Sequence, residues 1–191
     1  MRNSLIIFDV DDTLFFANQL IGMEVDGEMR WITQQEFHEH DVAGTIHPNL
    51  DFSKLLCSKD FVKNLKPNPI MIERLKNAIK RDQDQIVIMT ARHVMSDVPL
   101  FISAFHKHGV DTKGIEFIFA GSGGEIHWPS HQKKAVFFDR FLAEGYDKIT
   151  LYDDNTKFLD YALQAHLDFP FTTVRTFRID SEGKINNYNG C

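Results

Sequence analysis

Cysteine is nearly missing from this chain: only Cys57 and Cys191 occur in 191 residues. That pattern excludes a disulfide framework and a cysteine-built zinc site, and both thiols are expected to be free in a reducing compartment. Long apolar runs are also missing. None approaches the roughly 20 residues that a membrane span requires, and the first, in "MRNSLIIFDVDD", is too short for a secretory leader and is followed at once by acids. A cytoplasmic location without a membrane partner is therefore expected, and nothing signals an obligate protein partner. Basic charge is scarce too, with 21 Lys and Arg against 27 Asp and Glu. This disfavours a broad sequence-independent grip on nucleic acid, while a small basic groove stays open. Repeats and low-complexity tracts are lacking.

What is there reads as an ordinary globular chain, 43% hydrophobic and 25% charged, long enough for one domain plus an insertion. Four continuous apolar runs, Leu5–Phe8, Ile86–Met89, Phe117–Ala120 and Ile149–Tyr152, have the pattern of strands buried on both faces. Thr172–Ile179 adds a fifth, more alternating run. Helical periods fall between them. Asn68 and Pro69 start a helix with Met71, Ile72, Leu75 and Ile79 on one face, and Asp97 caps another that ends near Gly109. "KKAVFFDRFLAEG" reads as a third helix, and Asn155 caps a fourth. The alternation predicts an α/β fold, a Rossmann-like three-layer sandwich around a mainly parallel five-stranded sheet.

Residues 16–67 break the alternation. Asp26-Gly27 sits between alternating runs as a hairpin signal, Thr33 and Glu36 form a capping box, and Ser58–Asn64 reads as a short helix. We expect a small cap-like insertion after the first strand of a single domain. Phe15, Phe16, Met23 and Trp31 are expected to join hairpin to sheet as a small core, with the substrate mouth as the other reading. His38, His40 and His47 lack a carboxylate or cysteine at the spacing of a compact zinc site and read as solvated surface. The glycine-rich 121–132 stretch lacks a P-loop's spacing and ending, so it is expected to be a substrate loop with Trp128 available to stack on a base.

In an open α/β sheet, ligands bind beyond the carboxyl ends of the strands. Asp9 and Asp11 follow the first run, Thr90 and Arg92 the second, Asp153 and Asp154 the fourth. Carboxylates crowded in this way repel one another unless a cation or a proton lies between them, and hard carboxylate oxygens suit Mg²⁺. Arg92 has two readings, an ion pair with an acid or a reach to substrate.

The set "FDVDDTL", "VIMTAR", a lysine opening the helix before the fourth strand, and "LYDDNTKFL" resembles the haloacid dehalogenase (HAD) superfamily of phosphatases and phosphotransferases, over roughly residues 4–15 and 66–179. The resemblance implies Mg²⁺ and an aspartyl-phosphate intermediate. Asp9 would be nucleophile and metal ligand, and Asp11 the general acid and then base, with its carbonyl a second ligand. Asp153 and Asp154 would complete the metal set. Thr13 would be a loop-fixing hydroxyl beside the substrate, and Thr90 a donor to phosphate. Lys134 would neutralise charge at the nucleophile, although Lys133, placed beside the substrate, can take that part instead. Asp12 stands where the superfamily most often has glycine. A carboxylate at Asp11 points to hydrolysis of phosphate esters, with phosphotransfer or a catalytically silent binding protein as alternatives. A looser resemblance to polynucleotide 3′-phosphatase domains of phage-type repair enzymes makes a nucleotide or a phosphorylated nucleic-acid end the leading substrate, with other phosphorylated small molecules open.

Overall fold

The computed structural model describes residues 2–33, 36, 49–81, 83–122 and 129–190. In chain order these form strands β1 (Arg2–Phe8), β2 (Phe15–Ala17), β3 (Ile21–Val25), β4 (Glu28–Ile32) and β5 (Leu50–Asp51), then helices α1 (Ser53–Leu56) and α2 (Ser58–Asn64) and strand β6 (Leu65–Pro67). There follow α3 (Pro69–Arg81), β7 (Gln85–Thr90), α4 (Val98–Lys107), β8 (Glu116–Phe119), α5 (Ser130–Ala143), β9 (Tyr146–Asp153), α6 (Thr156–Ala165), β10 (Thr173–Ile179) and β11 (Ile185–Tyr188).

The five expected strands are all present, but the sheet has six, in the order β11-β10-β9-β1-β7-β8. Pairings from β10 to β8 are parallel, and β11 closes the edge antiparallel to β10. The sixth strand, "INNY", carries two exposed asparagines at its centre and has neither the apolar run nor the strand propensity that marks the others. Because the chain runs from β1 to β7 and β8 on one side, and then returns to β9 on the other, the strand order switches at β1, where ligands of open α/β sheets bind.

Alternate strand residues feed two cores, one on each face. Ile6, Phe8, Ile86 and Ile88 pack with Met71, Ile72 and Leu75 of α3 and with Phe101 and Phe105 of α4. Leu5, Ile7, Val87, Ile149 and Leu151 pack with Phe138 and Phe141 of α5 and with Phe158 and Leu159 of α6. The caps form as the sequence requires. The Asn68 carboxamide accepts from the N–H groups of Ile70 and Met71, the Asp97 carboxylate from Leu100, and the Asn155 carboxamide from Phe158.

The insertion leaves and rejoins the sheet through a two-stranded stem, Phe15 opposite Pro67 and Ala17 opposite Leu65. Asp26 and Gly27 both have positive φ, 55° and 80°, as a two-residue hairpin turn requires. The Thr33 and Glu36 capping box forms reciprocally, with the Thr33 N–H 2.7 Å from Glu36 Oε2 and the Glu36 N–H 3.1 Å from Thr33 Oγ1. Phe15 and Met23 are buried as expected, but Trp31 is 38% exposed and carries the Lys54 ammonium 3.7 Å above its ring. It sits on the outer face of the hairpin, opposite Gly22, which has no side chain to cover it. His38, His40, His47 and Trp128 lie outside the described residues, as does Cys191; Cys57 is a free thiol. No helix among the described residues is long and apolar enough to cross a membrane.

Candidate active site

A row of three rings marks the level of the site along the strands. Phe8, Tyr152 and Phe177 occupy the same level of β1, β9 and β10 and stack face to face, with centroids 4.9 and 5.0 Å apart. The residue after each ring lies at the strand's carboxyl end: Asp9, Asp153 and Arg178. The Asp9 N–H donates to the Tyr152 carbonyl at 3.0 Å, which carries the β1–β9 pairing up to Asp9.

Lys134, from the first turns of α5, places its ammonium 2.7 Å from Asp9 Oδ1 and 2.7 Å from Asp153 Oδ2. Asp9 and Lys134 are each 3% exposed, so the cluster is cut off from solvent and its charges are weakly screened. Burial pushes the Asp9 carboxyl well above its ordinary range; Lys134 opposes that push, and Asp153 and Asp154 add to it. Burial works against the Lys134 charge, but Asp153 and Asp9 outweigh it and hold the ammonium above its usual pKa. Burial, with Asp153 next, lifts Asp154 to about 7. The neighbouring Lys133 is also buried; its pKa is lowered by burial, and its charge depresses His93 after burial has done so. Of the two lysines, Lys134 is the one that bridges the acids.

Asn155 does more than the helix-capping expected of it. Its N–H donates to Asp153 Oδ1 at 2.9 Å and its amide to Ser130 Oγ at 3.0 Å, tying Asp153 to the start of α5. The double role is invisible in sequence because Ser130 lies 25 positions away.

Asp11 is held differently. Arg92 forks onto it, Nη2 to Oδ1 at 2.6 Å and Nε to Oδ2 at 2.8 Å, while Nη1 donates to the Leu55 carbonyl of α1 in the insertion at 2.5 Å. Of the two readings for Arg92, the structure has the ion pair. Thr90, expected to face phosphate, donates to Asp11 Oδ2 at 3.2 Å and accepts from the Arg92 N–H. Gly121 makes the loop around Arg92 possible: a Cβ there would fall 2.4 Å from the Ala91 carbonyl oxygen.

The Thr13 hydroxyl is buried and makes no hydrogen bond among the described residues, so the loop-fixing expected of it is not seen. The loop is closed by its main chain instead. Asp12 donates to the Phe15 carbonyl, Leu14 and Phe15 donate to Val10, and Asn68 Nδ2 holds the Thr13 carbonyl at 3.1 Å. Asp12 adopts φ 54°, a left-handed conformation in which glycine is free of strain and aspartate is among the better-tolerated alternatives. Burial and then Asp11 raise its pKa.

Asp9, Asp153 and Asp154 each offer an oxygen, all within 4.8 Å of one another. Ligands of an octahedral Mg²⁺ at about 2.1 Å stand roughly 3–4 Å apart, so the spacing and the all-oxygen donor set fit that ion. Asp12 and Asp154 form no ion pair among the described residues and line a cleft of about 430 Å³ between the insertion and the β10–β11 turn. The chain matches no protein-family model, no curated protein and no solved structure with which it was compared.

Proposed function

We propose that this chain is a Mg²⁺-dependent phosphomonoesterase with a HAD-like, Rossmann-type three-layer fold, acting through an aspartyl-phosphate on Asp9. The observation that carries the reading is the buried Asp9–Lys134–Asp153 cluster at the switch in strand order, with Asp11 two residues beyond the nucleophile. Solvated turn acids would have no need of a buried ammonium bridging two strands.

Asp9 attacks phosphorus with one carboxylate oxygen, forming an O–P bond as the ester P–O bond breaks. Lys134 offsets the charge brought together by nucleophile and phosphate, and Thr90 and Arg92 donate to phosphoryl oxygens. Asp9, Asp153 and Asp154 would hold Mg²⁺, which when bound would supply positive charge beside the phosphoryl oxygens. For this to proceed, Arg92 must turn from Asp11 towards the arriving phosphate. Asp11, released from Arg92, takes up a proton from solvent and gives it to the leaving oxygen. It then takes a proton from water, whose oxygen attacks phosphorus and breaks the Asp9–phosphate bond, so that Asp9 returns to its carboxylate and phosphate leaves. Asp11 yields that proton to solvent as its ion pair with Arg92 re-forms.

The leading substrates are a nucleotide or a phosphorylated nucleic-acid end, which a cleft of this size, with Phe16 among its lining residues, accommodates. The test is Mg²⁺-dependent release of phosphate from an aryl phosphate and from a panel of nucleotides and end-phosphorylated oligonucleotides. We expect release that disappears with EDTA and in Asp9→Asn. Release that survives Asp9→Asn contradicts the reading, as does no release from any substrate.

A further inference from the structure

The stacked rings lead to three residues, and only two of them belong to the chemistry above. Asp9 and Asp153 follow Phe8 and Tyr152; Arg178 follows Phe177 and is the register partner of Asp153 across β9 and β10. Neighbouring strands lie about 4.8 Å apart, so an arginine stands one strand from the phosphate-handling acids. It also lines the cleft that Asp12 and Asp154 share, where it is the basic side chain among the lining residues.

Its surroundings should neutralise it, and they do not. Asp153 is engaged by Lys134 and by the Asn155 N–H. Asp180, two residues on and just past the end of β10, is used by its own turn: Oδ1 accepts from the N–H groups of Glu182 and Lys184 at 3.0 and 2.9 Å, and Oδ2 from Asn186 Nδ2 at 3.2 Å. Arg178 therefore has no ion pair among the described residues, although carboxylates stand on both sides of it. A guanidinium fork prefers carboxylate or phosphate oxygens. In a cleft otherwise lined by acids and neutral groups, it is what would let an anion approach.

We propose that Arg178 determines specificity by receiving a second phosphate, carried on the leaving group of the substrate while the first is transferred to Asp9. This rests on the phosphomonoesterase reading and narrows it to substrates with two phosphates a sugar's width apart. Such a phosphate comes either from a small bisphosphate or from the phosphodiester next to a strand's terminal phosphate.

The test compares wild type, Arg178→Gln and Arg178→Lys on a nucleoside monophosphate, a nucleoside 3′,5′-bisphosphate and an end-phosphorylated dinucleotide. Arg178 is exposed on its strand, and thermal melts check that the variants fold. Wild type is expected to favour one two-phosphate substrate over the monophosphate, and the favoured one identifies the source. Arg178→Gln is expected to cut that preference roughly 10- to 100-fold through KM, and Arg178→Lys to regain part of it. Calorimetric binding of the bisphosphate and of the dinucleotide to the Asp9→Asn protein, with and without Arg178→Gln, reads the same contact without turnover. Equal losses on all three substrates, or unchanged preference and unchanged binding, overturn the assignment. Absence of phosphate release with the binding difference intact would remove the phosphatase reading and leave the second-phosphate site standing.

Discussion

Two ion clusters stand side by side at the end of the sheet, and they are built to different rules. Asp9, Lys134 and Asp153 are almost wholly buried and come from two adjacent strands and the helix beside them. Asp11 and Arg92 are joined by a fork whose carboxylate side is about a quarter exposed, and the arginine's remaining arm is tied to the insertion at Leu55. The first cluster is buried beside the core under α5 and α6, whereas the second can open by giving up one forked ion pair and the hydrogen bonds of Arg92 to the Leu55 carbonyl and of Thr90 to Asp11. In the proposed mechanism this difference would divide the labour, with Asp9 as a fixed nucleophile beside Asp11 as a releasable acid, the release being linked to the insertion through Leu55. A latch of Ser96 N–H to the Leu56 carbonyl and Ser58 N–H to Ser96 Oγ, at 2.9 and 3.1 Å, strengthens that link.

The largest expected effect comes from breaking the fixed side at its reacting atom. Asp9→Asn should lower kcat by about 10⁴-fold or more, as removing a nucleophile does elsewhere, with the fold intact by circular dichroism. Lys134→Met leaves two buried carboxylates facing each other. In metal-free protein it should cost about 3–5 kcal/mol in urea melts, with Mg²⁺ restoring part. Asp11→Asn tests the releasable side: kcat should fall about 10²–10⁴-fold, and stability should fall less than in Lys134→Met, because Arg92 keeps its hydrogen bond to the Leu55 carbonyl and no pair of like charges is left facing each other.

Metal and pH sharpen the comparison further. Asp154 has a folded pKa of about 7 against an ordinary 3.8, and burial and Asp153 are the leading causes. A carboxyl raised in this way costs the folded state nothing while it is protonated in both states. It destabilises the fold increasingly as pH rises above the unfolded value and through the folded one. Metal-free protein should therefore lose stability between pH 4 and 7, and the rise in Tm on adding Mg²⁺ should be greater at pH 8 than at pH 5. At a hundredfold excess over Kd the ion adds about 2.7 kcal/mol, roughly 5–10 °C for a chain of this length. The smallest effect is at the outer face of the insertion, where Lys54→Ala removes the cation above Trp31. It should cost about 0.5–1 kcal/mol and leave turnover unchanged.

Much of the architecture was legible because burial writes itself into sequence. A strand covered on both faces must be apolar throughout, so β1, β7, β8 and β9 stand out, and the acids that follow them share one end of the sheet. Lys134 was legible as one of two candidates, but choosing it from Lys133 needed the geometry of α5. Hidden features were those set by long-range partners. β11 is an edge strand whose two central residues are exposed asparagines, and Trp31 lies under the Lys54 ammonium, 23 positions away in sequence, rather than in the core. The Thr13 hydroxyl has no hydrogen bond because main-chain bonds already close its loop. The forked Asp11–Arg92 pair spans 81 positions, and Arg178 gained meaning only through its register with Asp153.

The central claim is that Asp9 carries the phosphoryl group, and it can be read directly. Asp11→Asn protein, slowed in the second step, is mixed with an aryl phosphate and Mg²⁺, quenched in acid and analysed by peptide mass spectrometry. The account predicts one added phosphoryl group on the peptide containing Asp9, lost when hydroxylamine is added. Phosphate released without any phosphorylated peptide, or a phosphoryl group on a residue other than Asp9, would contradict it.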